Sequence, residues 1–220
     1  MNKIIKIDPL NLRHDLIKEA ALIIKSGGVI TFPTRYLYGL GADAFNADAV
    51  DRVFEIKQRL YNKPLLVLVA EQNDLTRLVR NVPFAATCIM EHFWPGAVTI
   101  VFEAQDALPL NLTAGTGRIG VRMAEHPVAL ALTNAVEGPL TATSANITGN
   151  AGCSRIPDMD YQITEKLDLI LDGGPLEGGL GSTVVDVTAD FPKILREGAV
   201  PAKDIFAVFG KDSSQVRPQK

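Results

Sequence analysis

The hydrophobic and polar positions of the chain predict strands and helices that alternate almost to its end. Apolar residues recur at helical spacing in the segments that we expect to be helices, which are 11–26, 47–57, 73–80, 83–93 and 126–136. Shorter apolar runs predict strands at 3–7, 29–33, 65–69, 98–102, 118–123, 140–143, 167–171, 183–187 and 193–195. This alternation predicts an α/β or α+β layer architecture around a substantially buried sheet.

Local signals mark where some of these elements begin and end. Gly27, followed by a second glycine, is a C-terminal signal for the first helix, and Asn46 or Asp48 is available to cap the next one. Residues 34–44 are expected to form a loop. The continuous apolar run at 65–69 predicts a strand covered on both faces.

Composition and charge describe a soluble enzyme domain. With 220 residues, of which 47% are hydrophobic and 21% charged, the chain can bury a sizeable core. It contains neither a repeat nor a linker, which predicts a single domain over residues 1–210 followed by a flexible tail over 211–220. The net charge of -3 argues against a protein that binds polyanions over its whole surface.

The first residues and the cysteines predict a cytoplasmic protein. The chain starts with neither a signal peptide nor a transit peptide, and no apolar run approaches the ~20 residues of a membrane span. Cys88 and Cys153 are too few for a disulfide framework and lack metal-site spacing. We therefore expect a cytoplasmic address and no membrane partner.

Several common catalytic motifs are absent from the sequence. There is no P-loop pattern, and the pair Gly39 and Gly41 lacks the third glycine of a dinucleotide-binding fingerprint because Ala44 stands in its place. No Ser-His-Asp or Cys-His arrangement stands out. The histidines lack metal spacing, and we expect all of them to be structural or solvent-facing; they are His14, His92 and His126.

Three cations surround the end of one predicted helix. Lys57 and Arg59 are two positions apart at that end, and Lys63 precedes the next apolar strand. They are either a solvated helix terminus, favoured by the helix dipole, or a clamp for an anion. Charge-assisted hydrogen bonds contribute roughly 1.5–3 kcal/mol each, so two or three converging cations suffice to hold a triphosphate.

Small polar residues and arginines follow other predicted strands. Ser144 and Asn146 alternate so that both side chains face one way, although an ordinary turn would also use these residue types. Arg118 and Arg122 share one face of a strand and are either paired with acids or available to an anion. Arg196 alone is ambiguous.

The last candidate segment is rich in glycine. Residues 173–179 form a loop that looks mobile enough to cover a ligand, and they run into Ser182 and Thr183. Interior strands separated by helices place functional loops at strand ends. We therefore expect the loops after residue 33, before 65, after 143 and around 196 to meet.

In this order, the segments resemble the YrdC-type threonylcarbamoyl-AMP synthase family over residues 8–207. The motifs that carry the resemblance are Phe32-Pro33-Thr34, Tyr38-Gly39-Leu40-Gly41, Lys57-Gln58-Arg59, Trp94-Pro95-Gly96, Val121-Arg122, Ser144-Ala145-Asn146, Ser182-Thr183 and Leu195-Arg196. The resemblance implies the short, single-domain form. It also implies a twisted, open, mixed β-sheet flanked by helices, with a large basic concave cavity.

The resemblance implies an L-threonylcarbamoyladenylate synthase, a nucleotidyltransferase. Such an enzyme forms threonylcarbamoyl-AMP and pyrophosphate from L-threonine, bicarbonate and ATP, with Mg²⁺ expected. The product serves threonylcarbamoyladenosine modification of tRNA. The implied partners are a downstream threonylcarbamoyl transferase complex and, through a weak direct contact, tRNA.

The family pattern also implies roles for individual residues. Catalytic and ATP-binding roles fall on Lys57, Arg59, Ser144 and Asn146. Further ATP contacts are expected from the clamp lysine and three later residues, which are Lys63, Ser182, Thr183 and Arg196. L-Threonine is expected to meet Thr34, Arg122 and Thr143.

The chain departs from the family pattern near the predicted amino-acid pocket. Arg35 and Tyr36 stand where members typically have an acidic and a small residue, and Leu68 stands where some have histidine. Arg118 replaces a threonine, and Gly152 an often-present serine. Two alternatives stay open: a paralogue with a different amino-acid or carbamoyl-adenylate substrate, and an RNA-binding module of the same fold.

Overall fold

The computed structural model describes residues 3–209, and these residues form an α/β architecture. The helices are α1 (His14–Lys25), α2 (Ala47–Lys57), α3 (Phe84–Phe93), α4 (Pro127–Val136), α5 (Tyr161–Thr164) and α6 (Ala202–Ala207). The strands are β1 (Lys3–Lys6), β2 (Ile30–Pro33), β3 (Tyr38–Gly41), β4 (Leu66–Val69), β5 (Val98–Glu103), β6 (Arg118–Met123), β7 (Leu140–Thr141), β8 (Thr143–Ser144), β9 (Leu169–Asp172), β10 (Thr183–Asp186) and β11 (Lys193–Arg196). The predicted tail over 211–220 lies outside the described residues.

The strands form two mixed sheets with helices against them, so the predicted class is confirmed. The first sheet has the order β1-β9-β2-β3-β8, and the second has the order β11-β10-β5-β6-β4-β7. One open sheet was expected from the sequence, whereas the strands divide between two. The segment Leu140–Ser144 connects them, because its β7 part pairs with β4 and its β8 part pairs with β3.

The helices form where the sequence provides caps and an apolar face. The side chain of Asn46 accepts a hydrogen bond from Ala49 N at 3.1 Å and begins α2, as predicted. Gln58 adopts a left-handed conformation (φ 49°) and ends it. Helices α1 and α4 pack on each other and against β2, and they bury Ile24 and Leu132 fully. These caps fix Lys57 in the last turn of α2.

Strand β3 lies inside the segment that was predicted to be a loop. Gly39 and Gly41 lie in the expected loop of residues 34–44, but they are strand residues opposite Phe32 and Ile30 of β2. A Cβ at Gly41 would lie only 2.7 Å from the Phe32 ring. Glycine is therefore required here by a close side-chain approach across the two strands.

Other local predictions are also corrected. Residues 73–80 were expected to be helical, and the helix found there is a shorter 3₁₀ helix over Gln72–Arg77. The short helices α5 and α6 were not predicted, because four and six residues are too few to show a clear helical period. No helix within residues 3–209 combines the length and the apolar character that crossing a bilayer requires.

Candidate active site

A cavity of about 1110 Å³ lies against one face of the second sheet. Because side chains alternate along a strand, every second residue of β5, β6 and β10 faces it. These floor residues include Thr99 and Val101 of β5, Arg118, Gly120 and Arg122 of β6, and Val184 and Asp186 of β10. A Cβ at Gly120 would lie 3.2 Å from the Thr99 methyl group, so the absence of a side chain at Gly120 leaves this part of the cavity open.

The walls of the cavity come from loops and element ends that are distant in sequence. They include Thr34 and residues 36–39, β8, the end of α2, the glycine-rich segment Gly178–Gly181 and the end of β11. The loops that were expected to meet at strand ends therefore contribute to one cavity. All predicted site residues line it except Lys63 and Thr183.

Lys57 is buried beneath the segment that carries the predicted serine and asparagine. Its Nζ donates hydrogen bonds to the main-chain oxygens of Ser144 and Asn146, the latter at 2.8 Å. Burial, with the nearby charge of Arg59, lowers the pKa of Lys57 to about 7. The interpretation of Lys57 as part of a solvated helix end is thus excluded.

The side chains of Ser144 and Asn146 lie together, as the alternation predicted. Ser144 Oγ donates to Asn146 Oδ1, while Asn146 Nδ2 donates to the main-chain oxygens of Ile147 and Asn150, each at 2.8 Å. The amide is therefore held in one orientation. Ser144 remains partly exposed to the cavity.

Arg59 reaches the cavity because the chain turns at the end of α2. Its Nε donates to Lys63 O at 3.1 Å and its Nη2 donates to Pro64 O at 2.8 Å. Burial and the charge of Arg196 lower the pKa of Arg59. The ATP contact that was expected from Lys63 is not supported. Its main-chain carbonyl group fixes Arg59, but its side chain is exposed and does not line the cavity.

Arg196 and Ser182 form the opposite part of the wall. Arg196 Nη2 donates to Ser182 O at 2.7 Å, and the Ser182 hydroxyl lies 2.8 Å from that of Thr99. Thr183 alternates to the other side of β10, where its hydroxyl donates to Val200 O and accepts from Gly198 N at 2.9 Å. The structure therefore gives Thr183 a loop-fixing contact and does not bring it to the cavity.

Arg122 carries a buried charge beside the cavity. Its side chain is 8% exposed, and none of the described residues accepts a hydrogen bond from its Nε. Burial lowers the pKa of Arg122 to about 10, although Glu125 opposes that shift. Arg118, on the same face of β6, instead forms an ion pair with Asp186 at 3.0 Å. Burying an unpaired cation is costly, so Arg122 is the lining group best suited to an anionic ligand.

A void of about 10 Å³ lies next to Arg122. It shares Thr34, Tyr36 and Arg122 with the large cavity, and Leu68 and His126 are among the other residues of its wall. Thr143 lines only the large cavity. Thr34 Oγ1 donates to Leu37 O at 2.6 Å, which fixes the loop after β2.

The histidines have structural or exposed positions, as expected. His14 and His92 are exposed. His126 caps α4, because its Nδ1 accepts a hydrogen bond from Val128 N at 3.3 Å, and burial lowers the pKa of His126.

Thr99 and Asp186 line the cavity although the sequence patterns did not mark them as site residues. A polar residue on an apolar strand was the available signal for Thr99. Asp186 reaches the cavity through a strand pairing between β10 and β5 that the sequence does not reveal.

Cations predominate among the charged lining residues. They are Lys57, Arg59, Arg118, Arg122 and Arg196, against one carboxylate, Asp186, within residues 3–209. The described part of the chain contains no group of three or more His, Cys, Asp or Glu side chains suited to a metal ion. The donor set of the cavity therefore suits anions and does not fit a metal ion held by protein ligands alone.

Comparison with known proteins gives a family match over most of the chain. Residues 22–198 match the family model Sua5/YciO/YrdC, described as "Telomere recombination". The threonylcarbamoyl-AMP synthase of Bacillus subtilis (strain 168) is 37% identical over 204 residues, which are 92% of this chain and 59% of the relative. The Pyrococcus abyssi enzyme of the same name is 36% identical, over 89% of this chain and 57% of the relative. The chain thus spans less than two thirds of these two relatives.

Solved structures agree with the family match. The structure of P. abyssi Sua5 complexed with L-threonine has a TM-score of 0.88 and 35% identity, over 94% of this chain and 61% of that one. Escherichia coli YciO has a TM-score of 0.85 and 28% identity, over 93% of this chain and 100% of that one. The family model, the sequence identities and the fold lead to one conclusion: the chain belongs to the Sua5/YciO/YrdC family.

Proposed function

We propose that this protein is an L-threonylcarbamoyladenylate synthase, which forms threonylcarbamoyl-AMP and pyrophosphate from L-threonine, bicarbonate and ATP. The observation that carries the proposal is the lining of one cavity. Of the predicted phosphate-binding cations, Lys57, Arg59 and Arg196 lie there together with Ser144 and Asn146, and so does the buried Arg122. The names of the relatives from B. subtilis and P. abyssi support the same activity.

The nucleotide occupies the side of the cavity that holds Arg59 and Arg196. Each guanidinium group donates to main-chain oxygens and still has N–H groups free for phosphate oxygens, because arginine carries five donors. Lys57 adds a third positive group when it is protonated. Ser144 and Asn146, with Ser182, contribute hydrogen bonds around the same ligand.

L-Threonine occupies the side that holds Arg122. The guanidinium group of Arg122 pairs with the amino-acid carboxylate and so compensates a charge that is buried without a hydrogen-bond acceptor for Nε among residues 3–209. Thr34 and Thr143 line the cavity as neighbours of this ligand. The P. abyssi Sua5 structure complexed with L-threonine supports an amino-acid site in this fold.

The reaction needs no nucleophile from the protein. The amine of threonine attacks the carbon of bicarbonate, and loss of a proton and of hydroxide as water leaves a carbamate. A carbamate oxygen then attacks the α-phosphorus of ATP, and the bond to the β-phosphate oxygen breaks to release pyrophosphate. The protein aligns these reactants and stabilises the negative charge that develops on the phosphates.

Mg²⁺ accompanies ATP in this proposal and has no site of its own on the protein. Asp186, the one carboxylate among the described lining residues, is already bound by Arg118 and Thr188. Mg²⁺ is commonly held by substrate phosphates and water with few protein ligands.

The product is delivered to a threonylcarbamoyl transferase complex for tRNA modification, which takes place in the cytoplasm. A weak direct contact with tRNA belongs to the same proposal. The net charge of -3 limits such a contact to a local cationic surface.

The proposal is tested by mass spectrometry of the products. We expect threonylcarbamoyl-AMP when L-threonine, bicarbonate and ATP are supplied together, and none when any one of them is omitted. Absence of this product in the complete mixture would reject the function.

A second candidate is a paralogue that joins another amino acid or carbamoyl group to AMP. It is favoured by Arg35, Tyr36 and Leu68, which line the void beside Arg122 and depart from the family pattern. A panel of amino acids separates the candidates, since only the synthase prefers threonine.

Strongly salt-dependent RNA binding without ATP binding would instead indicate an RNA-binding module.

A further inference from the structure

Arg35 joins three segments at the rim of the cavity. Its Nη1 lies 2.7 Å from Glu125 Oε1, and its Nε lies 3.1 Å from Glu177 Oε1. Glu125 follows β6, whereas Glu177 belongs to residues 173–181, which we call the glycine loop. One guanidinium group therefore connects the loop after β2, the end of β6 and the glycine loop.

Main-chain contacts reinforce this connection. Glu177 N donates to Arg35 O at 3.4 Å, and Gly178 N donates to Tyr36 O at 2.8 Å. The start of the glycine loop is fixed separately, because the Tyr38 hydroxyl donates to Gly174 O at 2.7 Å. The start of the loop is thus held by Tyr38. Its middle is held by residues 35–36 and by the hydrogen bond that Leu176 N donates to Ser154 O at 2.9 Å.

Beyond Glu177, the far end of the glycine loop is held because Gly181 O accepts a hydrogen bond from Ala199 N at 2.8 Å, whereas Gly179 and Leu180 make no hydrogen bond to the described residues. Gly178, Gly179 and Gly181 have φ values of 75°, 98° and 72°, which only glycine adopts readily. Leu180 lines the cavity and is nevertheless 75% exposed, so it lies at the rim. A segment with little buried surface opens at low cost once its anchoring contacts are released.

The ion pairs of Arg35 are suited to repeated opening. The side chain of Arg35 is 42% exposed, and those of Glu125 and Glu177 are 35% and 56% exposed. Pairs this accessible to water contribute modestly and are screened by salt. Arg35 also engages Glu125, the acid that acts on the charge of Arg122, so it helps leave Arg122 available to a ligand.

We propose that Arg35 is a positioning residue that clasps the glycine loop over the cavity, and that release of this clasp admits and releases ligands. The identity of those ligands rests on the proposed function. The clasp itself is a property of the free protein and is tested without any ligand.

The first test is hydrogen exchange of the amides of residues 176–181 in the ligand-free protein. Glu177→Gln removes only the loop-side pair, and Arg35→Gln removes both. We expect exchange in this segment to be about two- to fivefold faster in each variant. Glu19→Gln is the matched control. It removes the carboxylate of Glu19 on α1, which forms an exposed ion pair with Lys3 of β1. Unchanged exchange in Glu177→Gln, or acceleration spread over the whole chain, would overturn the clasp.

The second test follows binding of a fluorescent ATP analogue, N-methylanthraniloyl-ATP, by stopped flow. A clasp that opens more often raises the association and dissociation rate constants together, so Glu177→Gln changes both about two- to fivefold and Kd much less. A change in Kd carried by the dissociation rate alone would assign Glu177 to ligand contact and overturn the clasp. Failure of the analogue to bind any variant would count against the proposed function, while the exchange result still decides the clasp.

Discussion

The Nζ of Lys57 lies 2.8 Å from the main-chain oxygen of Asn146 and also donates to that of Ser144. One buried amine thus joins the end of α2 to the segment that carries Ser144 and Asn146, two further residues of the predicted catalytic set. Its pKa is lowered to about 7 by burial and by Arg59. A neutral amine keeps two N–H groups, which are enough for both carbonyl oxygens.

The first prediction concerns stability and pH. The ordinary pKa of lysine is 10.5, and that of folded Lys57 is about 7, so the unfolded chain binds one proton more between these values. The free energy of unfolding should therefore rise with pH in this window, by at most about 1.4 kcal/mol per pH unit from this group. Urea unfolding at about pH 7.5 and about pH 9 measures it. Lys57→Met should reduce the slope, whereas Lys63→Met, at an exposed lysine, should preserve it.

The second prediction concerns protons taken up with ATP. Above pH 7, the free protein holds Lys57 largely neutral, and a bound triphosphate favours its charged form. Calorimetry at about pH 8 in buffers of different ionisation enthalpy should detect uptake of up to about one proton per ATP. The uptake should disappear in Lys57→Met. Equal uptake in that variant would show that another group titrates.

The third prediction separates Arg59 from its neighbour Lys63. Arg59→Ala should abolish pyrophosphate release that depends on threonine and bicarbonate, because it removes a half-buried guanidinium group with several donors from the nucleotide side. Arg59→Lys should restore little, since an ammonium group lacks the planar arrangement of donors. Lys63→Ala is the control and should retain activity. Retained turnover in Arg59→Ala would remove Arg59 from the site.

The fourth prediction is that removing the charge of Arg122 stabilises the free protein and weakens the binding of L-threonine. Arg122→Met replaces a buried cation whose Nε has no acceptor among residues 3–209, so the free protein should gain roughly 1–3 kcal/mol in urea unfolding. The same change should weaken L-threonine binding about 10- to 100-fold, as measured by calorimetry. A stabilised variant with unchanged threonine affinity would exclude the assigned carboxylate contact.

Local sequence patterns predicted the elements that carry the site, because their signals are local. The helix that ends at Lys57 has its cap at Asn46, and the alternation of Ser144 and Asn146 survives in the structure. The prediction of secondary structure and topology failed where a strand depends on a partner that is distant in sequence. Gly39 and Gly41 belong to a strand because β3 pairs with β2 on one side and with the distant β8 on the other. The division into two sheets depends on strand pairings over long distances in sequence.

The candidate site shows the same limit. Charge and spacing identified Lys57, Arg59 and Arg122 as candidates, and the family resemblance added Arg196. Neither indicated which way the side chain of Lys63 points. Nor did they predict that the Thr183 hydroxyl accepts hydrogen bonds from Gly198 N and Val200 N, because these contacts join β10 to residues beyond β11. Side-chain direction at the end of an element depends on turns and neighbours that a one-dimensional pattern does not contain.

The segment Leu140–Ser144 belongs to both sheets, with Ala142 between its two paired parts. A one-residue insertion or deletion there would reverse the side-chain alternation for whatever follows, so Ser144 and Asn146 would turn away from the cavity. Single substitutions leave this count unchanged. The length of this segment therefore matters more for the site than its composition, and we expect natural variation in it to consist of replacements and not of gaps.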